Sequence, residues 1–279
     1  MRNKGSELGT KRDFKDRVVV ITGAAGGMGR ALSRRFGQAG ARLGLTDIDG
    51  HSVEALSEEL TAEGTDCFGL GLDVTDETAC HRAMALVVKR FKHLDVLINN
   101  AGITHRSAFG RTGSEVYSRV MAVNYFGSLY CTQAALNYII ERRGLIIVIS
   151  SIAGFAPLLG RTGYVASKHA LHGLFDSLRA ELRETGVGVT IVCPGFTSTN
   201  IDKNALDGDG STTSHPQSTV GTPASPESVA EAVFRAATQG KRLVVLSSVG
   251  RLTRLLTRLF PSFYERIMAL ALRSELDRK

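Results

Sequence analysis

Tyr164 and Lys168 stand four residues apart in the run Tyr-Val-Ala-Ser-Lys. That spacing puts a phenol and an ammonium on one face of a helix, one turn apart. A free tyrosine titrates near ~10, too high for a base at neutral pH, and a neighbouring cation favours the phenolate and brings that value down. Such a pair can give and take a proton at an oxygen. In isolation it is more often an ordinary solvated pair, individually weak. Ser151 lies 13 residues before Tyr164 at the end of an apolar run, where a hydroxyl could donate to a carbonyl oxygen as charge develops on it. Taken alone, Ser150-Ser151 reads better as a turn cap, with Ser150 facing the other side of the strand.

A second cluster, Thr22-Gly23-Ala24-Ala25-Gly26-Gly27-Met28-Gly29, follows the β-branched run at residues 18–22 and precedes a helical pattern. Backbone N–H groups and a helix N-terminus there can meet a pyrophosphate. Gly23 suits the turn, while Gly27 and Gly29 keep side chains away from phosphate or from the sheet. A ligand-free glycine turn is the plainer reading of the cluster by itself. Asp47, 20 residues past Gly27, is placed to accept hydrogen bonds from the ribose hydroxyls of a dinucleotide and to repel a 2′-phosphate. Neither Ile48 nor Gly26 brings a compensating cation, so the expectation is NAD(H) in preference to NADP(H). The alternative is that Asp47 only opens a turn, as Asp49-Gly50 also would.

These groups need a scaffold that brings strand ends together. Apolar runs near 18–22, 42–46, 67–72, 94–98, 145–149, 187–193 and 242–246 alternate with helical patterns near 50–63, 76–92, 112–141, 163–185 and 226–239. Strands separated by helices of this length predict right-handed parallel crossovers, and near-continuous apolar character predicts a sheet covered on both faces. The fold class is α/β, one doubly wound Rossmann-type parallel sheet. Residues 196–225 break the rhythm with the polar run Asp207-Gly208-Asp209-Gly210-Ser211-Thr212-Thr213-Ser214, a segment of the kind that forms a lid or stays disordered.

Thr22-Gly-x3-Gly27-x-Gly29, Asp73-Val74, Asn99-Asn100-Ala101-Gly102, Asn124, Ser151, Tyr164-x3-Lys168 and Pro194-Gly195 occur in the order and spacing of the short-chain dehydrogenase/reductase family. The resemblance spans roughly residues 16–246. It implies that Tyr164 is the catalytic acid/base and that Lys168 lowers the Tyr164 pKa and holds the nicotinamide ribose. Ser151 would orient and polarise the substrate oxygen, and Asn124 would position a water in a proton relay. Asp73 and Val74 would contact the adenine, Asn99, Ala101 and Gly102 would run beside the adenosine, and Pro194, Gly195, Thr199 or Thr197 would lie under the carboxamide. Met28 replaces the family's more frequent isoleucine. The family also suggests a homodimer or homotetramer built through the 112–141 and 163–185 helices.

The reaction implied is hydride exchange between NAD(H) and a secondary alcohol or ketone. Phe109, Phe155, Leu158, Leu159 and Phe196 are the expected pocket lining, which favours a lipid- or steroid-like substrate over a sugar, although the same residues could be core. His105 and Arg106 stand near the expected pocket mouth. A 3-oxoacyl thioester reductase would use the same catalytic set, though Asp47 argues against its usual NADPH. A non-catalytic NAD-binding scaffold is the reading from another class.

Composition bounds the rest. In 279 residues, 43% are hydrophobic and 22% charged, an ordinary globular balance. The net charge of +7 resides in the two ends, residues 1–17 and 251–279, so residues 18–250 are neutral and a nucleic-acid stripe has no support. Cys67, Cys80, Cys131 and Cys193 are far apart in sequence, without metal-type spacing, and point to a reducing compartment; no metal site is expected. Without a long apolar run or a signal-peptide core, the expectation is a cytoplasmic protein.

The expected domains are a flexible basic tail at 1–15, a catalytic domain at 16–247 and a helical extension at 248–279. In the extension Leu252, Leu255, Leu256, Leu259 and Phe260 form one stripe, with Arg251, Arg254 and Arg258 largely opposite. Pro261 then opens a second helix with Phe263, Ile267, Leu270 and Ala271 on one face. The general rule puts such a stripe against its own domain or a sister subunit. The other readings are peripheral contact with an anionic membrane through 249–279, or another protein.

Overall fold

The computed structural model describes residues 11–199, 201, 203–214 and 222–276. Its elements run β1 (Val18–Thr22), α1 (Gly27–Gln38), β2 (Arg42–Asp47), α2 (Gly50–Ala62), β3 (Cys67–Gly71), α3 (Glu77–Phe91), β4 (Val96–Asn99), α4 (Ser114–Met121), α5 (Gly127–Glu141), β5 (Leu145–Ile149), α6 (Thr162–Glu181), β6 (Gly188–Cys193), α7 (Pro226–Thr238), β7 (Leu243–Val245), α8 (Ser248–Leu259) and α9 (Pro261–Ala271). The strands form one seven-stranded sheet in the order β3-β2-β1-β4-β5-β6-β7, parallel throughout.

The alternation of strand side chains divides the core in two. On one face Phe36 of α1, Leu56 of α2 and Val233 of α7 pack on Val19, Ile21 and Ile98. On the other, Met84 of α3, Ile139 of α5 and Phe175 of α6 pack on Val20, Leu97 and Val148. Every residue of β1, β4 and β5 is buried, as expected of central strands covered on both sides. The carboxyl ends of β1 and β4 flank the point where strand order reverses, which is where a ligand crevice opens in this architecture.

Three sequence expectations need correction. The helix expected over 112–141 is interrupted by a π-helical turn, Ala122–Phe126, a local widening that recurs at functional sites and that a 3.6-residue periodicity does not reveal. The polar run after β6 is tied down where described. Asp207 N–H donates to the Ser211 carbonyl, Thr213 N–H to Ala205, and Gly113 N–H to Gly208, so this part is a folded turn against α4 rather than an open lid. Two cysteines far apart in sequence meet, with Cys80 and Cys131 Sγ 3.5 Å apart between α3 and α5 as free thiols.

The third correction concerns the extension. Helix α8 turns Gly250 and Thr253 inward, and Leu252, Leu255 and Leu259 are more than half exposed. Leu252, Leu255 and Leu259 of the stripe therefore face away from their own domain, while Leu256 is half-buried. Residues 1–10 of the basic tail and 277–279 of the extension lie outside the described residues, as do 200, 202 and 215–221 of the loop after β6.

Candidate active site

The turn after β1 is held by residues remote in sequence. Gly23 sits at φ +63° and any Cβ there would come 2.8 Å from Ala101 Cα, so only glycine suits both backbone and space. A Cβ on Gly29 would run into the Gly23 carbonyl, which lets α1 start tight against the turn. Gly27, by contrast, meets only Thr199 at ordinary contact distance. The N-cap of α1 is Gly26, without a side-chain cap or an acidic residue in the first turn. The first amides of α1 thus face the crevice without a side-chain acceptor, the arrangement an anion satisfies.

The Thr22 hydroxyl, buried at the end of β1, accepts the N–H groups of Asn100 and Ala101, each at 3.0 Å. The Asn100 amide donates to the carbonyls of Thr22 and Gly23 at 2.9 and 3.0 Å. These two side chains lock the turn to the segment after β4, a tie across 78 residues that spacing does not reveal. The Asn99 side-chain amide donates to Thr132 Oγ1 of α5 at 2.9 Å, an internal tie that holds the end of β4.

Asp47 ends β2 with one carboxylate oxygen accepting Ala25 N–H at 2.9 Å and the other accepting Asp49 N–H at 3.1 Å. Each oxygen keeps a lone pair. No Lys or Arg lies within ion-pair distance of it among the described residues. Ile48 beside it is 75% exposed. The cap of α2 is Asp49, which accepts Ser52 N–H, so the capping duty falls to Asp49 and not to Asp47. Asp73 likewise accepts Thr75 N–H at 2.9 Å, and Val74 is buried against the core.

At the centre, Lys168 is buried on α6 and Nζ donates to the Ile149 carbonyl at 3.0 Å, two residues before Ser151. Nζ lies 5.7 Å from the Tyr164 ring centroid, which places the pair on one helix face as the spacing required. Burial brings the ammonium down to about 8, with the Cys193 thiol opposing. Asn124, in the π-helical turn, accepts Ile103 N–H at 2.8 Å and donates to Ile103 O and Ser167 Oγ. A side chain on Gly102 would meet both Asn124 Oδ1 and Lys168 Nζ, so three expected site positions converge.

Ser151 Oγ accepts Ala153 N–H at 3.1 Å, which leaves its proton available to donate. Ser150 faces away, against His172 Nε2 at 3.0 Å, as alternation predicted. Tyr164 is half-buried and packs against the cluster of Val116, Val120 and Leu206. Pro194 is buried and Thr197 bridges to Ala224 beyond Gly195.

Two expectations about the pocket change. Phe155 stacks edge-on to His172 and lines a groove between α6 and α8 instead of the region around Tyr164. His105 and Arg106 are buried, not loose at a mouth. His105 Nε2 accepts the N–H of Gly163 at 2.9 Å, capping α6 from a loop 58 residues away. Burial, then Arg161, pushes that imidazole down to about 4, so it is neutral and able to accept.

Residues 17–210 match the model of the short chain dehydrogenase family. The chain belongs to this family. Its relatives include the dehydrogenase/reductase SDR family member 7B of Danio rerio, 37% identical over 98% of this chain and 91% of that protein. The Bos taurus protein of the same name is 39% identical over 95% and 84%, and an SDR family protein 7-like chain of Drosophila melanogaster is 34% identical over 93% and 81%. A crystal structure of a short chain dehydrogenase/reductase from Burkholderia phymatum, in complex with NAD, superposes with a TM-score of 0.81 at 22% identity, covering 90% of this chain and 96% of that one. Short-chain dehydrogenases are oxidoreductases, and this chain carries their single-domain sheet. No helix among the described residues is long and apolar enough to cross a membrane, and no cluster of potential metal ligands occurs among them.

Proposed function

We propose that this short-chain dehydrogenase interconverts a hydrophobic secondary alcohol and its ketone with NAD(H), using Tyr164 as acid/base. The observation that carries the reading is the buried Lys168, fixed to Ile149 O and one helical turn from Tyr164. An ammonium held there stabilises the phenolate.

The crevice suits a dinucleotide. Uncapped α1 amides meet a pyrophosphate, Asp47 meets ribose hydroxyls with its free lone pairs, and the segments Asp73-Val74, Asn99–Gly102 and Pro194–Thr199 border the remainder. NAD in the Burkholderia phymatum protein agrees with this. Bound NAD(H) supplies or accepts the hydride at nicotinamide C4. Ser151, with its proton free, donates to the substrate oxygen; Tyr164 delivers or removes the proton at that same oxygen. Lys168 holds its charge near Tyr164, and Asn124 fixes the Ile103 segment beside it. Asp47 without a cation favours NAD(H), since a 2′-phosphate would face an uncompensated carboxylate.

The direct test is NADH absorbance across a panel of hydrophobic ketones and secondary alcohols. Turnover with several members, and little with sugars of equal size, is the expected result; no turnover with any would remove the substrate class.

A further inference from the structure

Helix α8 is inverted relative to an ordinary surface helix. Its inward face is Gly250, Thr253 and Thr257, and a Cβ on Gly250 would come 2.7 Å from Ile152 Cδ1, in the short turn that Ser151 caps. Its outward face carries Leu252, Leu255 and Leu259, continued by Phe260 and, on α9, by Phe263, Ile267 and Leu270, each between 45% and 79% exposed. Large contiguous apolar surface of this kind marks a docking face.

Charge decides what it fits. At 100° per residue, Arg251, Arg254 and Arg258 form a row between the inward small residues and the outward leucines. Arg254 and Arg258 also line a groove of about 490 Å³ between α6 and α8, together with Arg179 and Arg242. The one carboxylate in that lining, Asp176, is bonded to Arg179, and His172 there is pushed down to about 4, first by burial. Arg242, Arg254 and Arg258 have no carboxylate partner among the described residues. A helix with leucines on one side and unpaired guanidinium groups along its boundary places apolar side chains in an acyl layer while the cations meet phosphates.

We infer that the α8–α9 hairpin is a peripheral docking surface for an anionic phospholipid bilayer, with the outward leucines and phenylalanines inserted and Arg242, Arg254 and Arg258 against lipid phosphates. The inference stands on the hairpin alone and does not depend on the proposed redox chemistry.

The test is co-sedimentation of the full chain with vesicles of phosphatidylcholine alone or mixed with phosphatidylglycerol, with sedimentation velocity run in parallel without lipid. The chain is expected to pellet with the phosphatidylglycerol vesicles and to release at high salt. Arg254→Gln with Arg258→Gln should weaken binding roughly 25-fold, about fivefold per arginine. Leu255→Asp with Leu259→Asp should abolish it. Should the aspartates disturb the hairpin, the arginine variant, whose side chains are exposed and unpaired, still gives the answer. A chain that ignores both vesicle types overturns the proposal, as does a leucine variant that loses mass in lipid-free solution while still pelleting with vesicles, which would make the stripe a subunit interface.

Discussion

His105 Nε2 accepts the amide N–H of Gly163 at 2.9 Å, one residue before Tyr164. Helix α6 has no side-chain cap of its own at Arg161, so the first turn bearing the tyrosine is anchored by the loop that follows β4. The same loop is tied to the segment after β6 through Leu206 N–H to Thr104 O and Arg106 N–H to Leu206 O. Three loops from three strand ends thus fix one phenol.

His105→Phe removes the acceptor and leaves a buried N–H unpaired, which costs about 1–3 kcal/mol. A shift of the first turn by an ångström would lower kcat as much as ~100-fold. His105→Gln, which keeps an acceptor, should recover part of both. Thermal melts and kcat measured on the two variants check this, and equal losses in both would mean that the ring's volume matters rather than its lone pair.

Lys168 gives the opposite balance. Burial that brings its ammonium to about 8 disfavours folding with the charge in place. Lys168→Met should therefore raise the melting temperature, by an amount worth about 1–2 kcal/mol after the loss of the bond to Ile149 O. The same change should remove turnover. In the wild-type chain, ketone reduction should fall on the alkaline side as the Lys168 ammonium, brought down to about 8 by burial, loses its charge, which a pH–rate profile reads directly.

Stability should fall on the acid side. His105 and His172 are both pushed from 6.5 to about 4, mainly by burial. Between those values the unfolded chain binds more protons than the folded one, so the unfolding free energy rises with pH across that window and levels off above about 6.5. Urea titrations from pH 4 to 7 should show this slope, and His172→Phe should make it shallower.

The proposed preference for NAD(H) rests on Asp47. Asp47→Ser removes the carboxylate that faces a 2′-phosphate, and Asp47→Ser with Ile48→Arg adds a cation. The ratio of kcat/KM for NADH over NADPH should drop at least tenfold in the first and drop further, toward NADPH, in the second. An unchanged ratio would show that Asp47 serves only Ala25 and Asp49.

The parts of the site that were legible in the sequence are the local ones. Tyr164 and Lys168 share a helix face because four residues make one turn, and the glycine turn, Asp47 at a strand end and the alternating strands all follow from short-range periodicity. What was missed lies across long sequence separations: Thr22 with Asn100, His105 with Gly163, Cys80 with Cys131. Nothing in the spacing of His105 marks it as a cap, because the amide it accepts from lies 58 residues later. Periodicity found the two faces of α8 but not which of them turns inward. Gly250 was the overlooked signal, since a glycine in a helix marks a close approach.

The most direct test is Tyr164→Phe, which deletes one oxygen and leaves the ring against Val116, Val120 and Leu206. Turnover of the best substrate should fall by at least about 100-fold, while NADH affinity, measured by fluorescence titration, stays within a few-fold of wild type. Turnover retained in Tyr164→Phe would contradict the assignment of the proton to this phenol.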